Sequence, residues 1–91
     1  MEKFKNIVEA MQFAPDKMKK NGLFETERLF CDLYCFEPGQ AQNPHTHEGS
    51  DKIYFVLEGR GLFQIGREEK ELKENEIAIA PSGQRHGVSN P

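Results

Sequence analysis

The sequence predicts an all-β domain, a small sandwich or barrel. Two observations lead there. Turn signals built from Gly, Pro and Asn recur every 8 to 16 residues along most of the chain. The segments between them are short and rich in aromatic and β-branched side chains, with no long helical period.

Taken in order, the first 22 residues stand apart. Val8 to Phe13 and Asp16 to Lys20 each suit a short helical piece, with Pro15 between them and Asn21-Gly22 as a stop. The chain therefore divides into an irregular or partly helical N-terminal segment, residues 1–22, and a β domain, residues 23–91. Leu29 to Phe36 reads as a strand with Leu29, Cys31, Leu33 and Cys35 on one face. Pro38-Gly39 ends it. Ile53 to Leu57 is the strongest β segment, closed by Glu58-Gly59-Arg60-Gly61. Leu62 to Ile65 follows, and Gly66-Arg67 suits a two-residue hairpin turn with Gly first. Glu69 to Leu72 is the expected return strand, within a densely charged and hence exposed hairpin from Arg67 to Glu76. Ile77 to Ala80 is a further strand, ended by Pro81-Ser82-Gly83.

Ninety-one residues hold one domain with a thin core. A net charge of −3 argues against nucleic acid and anionic membranes as partners. No apolar run approaches the ~20 residues of a membrane span, and Met1 to Asn6 leads into no apolar signal core. Cys31 and Cys35 lie four apart on one strand, roughly 13 Å, beyond the ~7 Å reach of a disulfide. Both are expected as free core thiols in a reducing compartment, the cytoplasm.

The chemistry lies in the histidines. His45-Thr46-His47 on a strand aims both imidazoles to one face, where they can converge on one ion. His86 follows the Pro81–Gly83 turn and can supply a third imidazole to a facial metal site. Alone, an HxH pair is weak evidence for a metal, and two surface or hydrogen-bonded histidines are the better reading of it. No residue makes a convincing nucleophile–base pair, and no phosphate loop is present.

The surroundings sharpen that reading. From Gly39 the chain runs five residues to His45-Thr46-His47, four to Lys52 and six to Gly59. From Asn75 it runs five residues to Pro81-Ser82-Gly83, two to His86 and three to Asn90. This resembles the paired motifs of the cupin superfamily, G(X)5HXH(X)3-4E(X)6G and G(X)5PXG(X)2H(X)3N. Every spacing is kept over residues 39–90. The resemblance implies a minimal jelly-roll barrel. It also implies a divalent metal (Fe, Mn, Ni or Zn) on His45, His47 and His86, and a homodimer in which sheets pack face to face. The apolar character of both faces of strands 29–36 and 53–57 points the same way. Members of the superfamily usually continue past the second motif with one or two strands, so with an end at Asn90-Pro91 either the sequence is cut short or other residues, such as Phe4, Ile7, Val8 and Phe13, must cover an open sheet edge.

Two residues depart from the pattern. Asn75 stands where the second motif opens with Gly, and Asn is the next most tolerant residue for positive φ. Lys52 stands where the family places a metal-binding Glu. Unit charges 4 Å apart at an effective dielectric of 20 interact by about 4 kcal/mol, and a divalent ion doubles this, so a charged Lys52 cannot press against a metal. Three outcomes follow. The ammonium snorkels away and leaves a three-histidine site, a bulge turns Asp51 inward as a replacement ligand, or the site is metal-free and Lys52 meets an anion. Lys52, Tyr54 and Gln64 are pocket candidates. Two function classes emerge: a metal site acting on or binding a small molecule, dioxygenase- or isomerase-like if an enzyme, and a metal-free small-molecule binding or sensing module.

Overall fold

The computed structural model describes residues 1–91. Strands take 46% of them and helix 4%. The chain forms two compact units, Met1–Glu37 and Pro38–Pro91.

The first unit holds helix α1 (Ile7–Ala10) and strands β1 (Lys19–Glu25) and β2 (Phe30–Cys35). The helical expectation for the N-terminal segment is met only in part. The Asn6 side chain caps α1 by accepting from Glu9 N–H at 3.2 Å, but Met11 is already extended at φ −71°, ψ 117°. Asp16 to Lys20 forms no helix. Lys19 and Lys20 pair with Cys35 and Tyr34 in an antiparallel ladder, and cross-strand pairing overrides the local helical pattern. Asn21, expected as a helix stop, sits inside β1 and donates its side-chain amide to the carbonyls of Gln12 (3.0 Å) and Leu33 (3.4 Å). Thr26 ties the β1–β2 turn, its Oγ1 accepting from the N–H groups of Arg28 and Leu29 at 3.1 Å each. The thiols Cys31 and Cys35 are both free, but only Cys35 is buried. Leu33 and Cys35 form the inner face, whereas Leu29 and Cys31 lie at the turn end of the hairpin, which is exposed.

The second unit holds β3 (Ala41–His45), β4 (Lys52–Phe55), β5 (Arg60–Ile65), β6 (Glu68–Lys73), β7 (Ile77–Ala80) and β8 (His86–Ser89). They form a four-stranded sheet, β3-β8-β5-β6, and a two-stranded sheet, β4-β7, antiparallel throughout. The expected hairpin is present: Ile65 faces Glu68 across the two-residue turn, with Gly66 at φ 59°. Asn75 adopts φ 68°, the only non-glycine residue with positive φ, so the turn survives the loss of Gly. The core of this unit is Tyr54, Val56, Phe63, Leu72, Ala80 and Val88. The Tyr54 ring bridges the sheets, 5.2 Å from Phe63 and 6.1 Å from His86. Inward residues of β4 are thus Lys52 and Tyr54, continued by Val56 beyond the strand. The more apolar face, Ile53 and Phe55, looks out beside its cross-strand partners Ile79 and Ile77. Strand β6 closes one edge of the larger sheet with a single buried residue, Leu72, among charged ones.

Candidate metal centre

The site is assembled by strand pairing. His45 ends β3 and lies directly across from His86, the first residue of β8. Gln42 faces Val88, so three steps along β3 match two along β8. That extra residue is a β-bulge, which puts Gln42 and His45 on one face although strict alternation would separate them. The bulged backbone crosses very near Gly87. A Cβ there would lie 2.9 Å from the Gln42 carbonyl oxygen and 3.0 Å from Pro44 N and Cα.

Contrary to the sequence reading, His45-Thr46-His47 is not all strand: β3 stops at His45. His47 is brought in by the turn of the second motif, since Gly83 N–H donates to the His47 carbonyl at 2.7 Å. The three imidazoles nevertheless converge. Ring centroids are 4.5 Å apart for His45–His47, 4.4 Å for His45–His86 and 5.4 Å for His47–His86. One donor atom from each lies within 4.8 Å of the others. Exposure grades across the cluster, from His47 in solvent to His86 at 2%.

Two rings are fixed by the same device. His45 Nδ1 lies 3.1 Å from the Asn43 carbonyl and His86 Nδ1 lies 2.9 Å from the Gln84 carbonyl, each two residues back. A carbonyl only accepts, so each Nδ1 carries a proton, and in the neutral imidazole the lone pair then sits on Nε2. His86 Nε2 is buried with no hydrogen-bond partner. Burial pushes the His86 imidazole below its usual range. The Gln84 bond pulls partly back, and the neighbouring His45, Lys52 and His47 push down again. A neutral, lone-pair-bearing imidazole without a partner fits a divalent ion, and so does the all-nitrogen donor set.

The other sequence candidates separate cleanly. Asp51 is exposed and accepts from Ser82 N–H at 2.9 Å, and no carboxylate belongs to the donor cluster. Lys52 faces inward opposite Ala80, with Nζ 4.8 Å from the centre of the Tyr54 ring. Tyr54 is buried near His86 and donates its hydroxyl to Gln42 Oε1 at 2.8 Å. Gln64 is not brought to the cluster. It alternates with Phe63 and Ile65, pairs with Gly87 across β5–β8, and lines a hollow of about 170 Å³ together with Gln42, Leu62, Val88 and Ser89. Gln42 is the residue that sequence reasoning missed, because the bulge hides its face.

Antiparallel strands in two sheets, with three imidazoles converging from β3, the segment after it and β8, define an all-β fold carrying a histidine triad. A family model described as the cupin domain matches residues 32–91, and the chain belongs to that family. A crystal structure of TT1209 from Thermus thermophilus superposes with a TM-score of 0.93 at 45% identity, covering 96% of this chain and 83% of that one. A Klebsiella pneumoniae protein with a double-stranded β-helix domain shares the fold, with a TM-score of 0.90 at 24% identity over 99% of this chain and 79% of that one. In sequence, the chain is 29% identical over 73 residues to an oxalate-binding protein of Thermotoga maritima, 80% of this chain and 60% of that protein. It is 34% identical over 53 residues to the tetracenomycin polyketide synthase protein TcmJ of Streptomyces glaucescens, 58% of this chain and 36% of that protein. The chain thus spans less than two thirds of the length of either relative.

Proposed function

We propose that His45, His47 and His86 hold one divalent metal ion, Fe, Mn, Ni or Zn, and that a small molecule binds at it. One observation carries the reading: His86 Nε2 is buried and without a partner, aimed among two further imidazoles. A buried polar atom of that kind costs free energy unless something meets it. Such an ion would supply a Lewis-acid centre for oxygen atoms of the ligand. The chain's own residues do the rest. The Asn43 and Gln84 carbonyls hold the ring tautomers, the exposed His47 side leaves an approach, and Tyr54 with Gln42 forms a polar wall beside His86. The oxalate-binding relative supports a small ligand.

Metal analysis of the purified chain tests this. About one equivalent per chain is expected, with His86→Ala losing most of it. No uptake of any of the four ions would favour the metal-free binding module, a reading to which the inward Lys52 ammonium lends weight. We also infer that two copies associate through the outer face of β4 and β7. The two free thiols fit a reducing compartment, and on that ground we assign the cytoplasm.

A further inference from the structure

His47 differs from its two neighbours in how it is held. His45 and His86 belong to paired strands, and each ring is tied to a carbonyl two residues back. His47 lies beyond the end of β3 and is exposed, so packing does little to hold it and its place follows from its backbone. That stretch of backbone is tied at three points to the turn that precedes β8. Gly83 N–H donates to the His47 carbonyl at 2.7 Å, Gly49 N–H to Ser82 Oγ at 2.9 Å, and Ser82 N–H to Asp51 Oδ1 at 2.9 Å. Ser82 therefore accepts through its side chain and donates through its backbone, while Asp51 supplies a carboxylate oxygen, the stronger kind of acceptor. Both segments turn on a glycine in the left-handed region, Gly49 at φ 83° and Gly83 at φ 84°. The two side-chain bonds are exposed and weak singly. Three bonds between the same two short segments share one ordering cost, so the loss of one loosens the others.

We propose that Asp51 and Ser82 are positioning residues for His47: the clasp they form across the two segments sets the third imidazole against His45 and His86, and with it the affinity for the ion. The inference rests on the metal reading and adds what controls that site. Asp51 stays outside the donor cluster, and its carboxylate acts one step back from the ion, through Ser82 and the turn. Groups that orient a ligand from behind commonly govern affinity nearly as strongly as the ligands themselves.

Cobalt(II) separates this inference from the reading beneath it. The full chain is titrated with Co²⁺, and uptake is followed by the visible absorption bands and by calorimetry. Asp51→Ala should weaken uptake about tenfold or more. Asp51→Asn removes the charge but keeps an acceptor oxygen for Ser82 N–H, and should retain most of the affinity. In the metal-free chain, hydrogen exchange at the Ser82 and Gly83 amides should quicken in Asp51→Ala while the β3–β8 ladder keeps its protection. Wild-type uptake by Asp51→Ala would overturn the clasp and leave the metal reading standing. Asp51→Asn as weak as Asp51→Ala would also overturn it, by making charge the cause. Loosening of the whole ladder would do the same, by making the effect a general loss of stability. Should Asp51→Ala fail to fold, Ser82→Ala carries the test, because it removes only the Oγ acceptor, and Ser82→Thr restores it. Equal Co²⁺ affinity in those two variants would overturn the clasp. Absence of Co²⁺ uptake by the wild type would overturn the metal reading and this inference with it.

Discussion

His86 concentrates the physics of the site in one side chain. It is almost fully buried, yet its Nε2 has no partner, and burial holds its pKa below the ordinary value of 6.5. The unfolded chain takes up that proton at the ordinary value. The stabilising contribution is therefore full above about pH 6.5 and is lost as pH falls through the lower folded value, where the buried ring must charge. Urea midpoints of the metal-free protein should decline between pH 7 and pH 5, and His86→Gln should flatten that decline. Equal slopes in the two proteins would remove His86 as the cause. Metal uptake should weaken over the same acid range, since protonated imidazoles do not coordinate. Competitive titration with a coloured chelator at each pH would measure it.

At the scale of elements, the bulge in β3 does the positioning, and Gly87 is its counterpart on β8. Backbone atoms of Gln42 and Pro44 occupy the space a Cβ would need, and backbone cannot step aside as a side-chain tip can. Gly87→Ala should cost about 1–3 kcal/mol of stability and weaken metal binding by displacing His45. Denaturation together with Co²⁺ uptake would check both, and an unchanged affinity would free His45 from dependence on the bulge. These elements were legible in the sequence to different degrees. The β5–β6 hairpin was readable because its two-residue turn chemistry is local, and the triad because motif spacing encodes it. Gln42 was not, since period-two reasoning breaks at a bulge. Strand β1 was missed because Lys19 to Glu25 carries a weak β pattern and is made a strand by pairing with β2. The inward face of β4 was ambiguous for the opposite reason: Ile53 and Phe55 look like core, yet they face solvent while Lys52 and Tyr54 turn in.

At the scale of the molecule, that inversion leaves an apolar outer face. Ile53, Phe55, Ile77 and Ile79 are 58%, 50%, 61% and 53% exposed and sit side by side as two cross-strand pairs. Contiguous exposed apolar patches of this kind mark association sites. The β6 edge, by contrast, is lined with Glu and Lys and resists edge-to-edge pairing. Association through a face rather than an edge is the expected outcome, and a twofold dimer is its simplest form. Sedimentation equilibrium at micromolar concentration should give twice 10.4 kDa. Placing lysine at both Ile53 and Ile79 should return a monomer with unaltered metal uptake, whereas a wild type that stays monomeric would refute the dimer.

The carbonyl bonds that fix His45 and His86 bear on the order of events when an ion arrives. Two rings are oriented by backbone groups of their own chain, so the ordering entropy is met during folding and not at the moment of capture. Loading should then resemble a key entering a lock already cut. Far-UV circular dichroism of the metal-free and loaded protein should superimpose, and capture should follow a single bimolecular phase with no slower rearrangement behind it. The ion would act on the folded state purely by mass action, adding about 2.7 kcal/mol at roughly one hundred times its dissociation constant. A calorimetric melting point that climbs with free ion while the spectrum stays still would be the signature of a protein that waits for its metal fully formed.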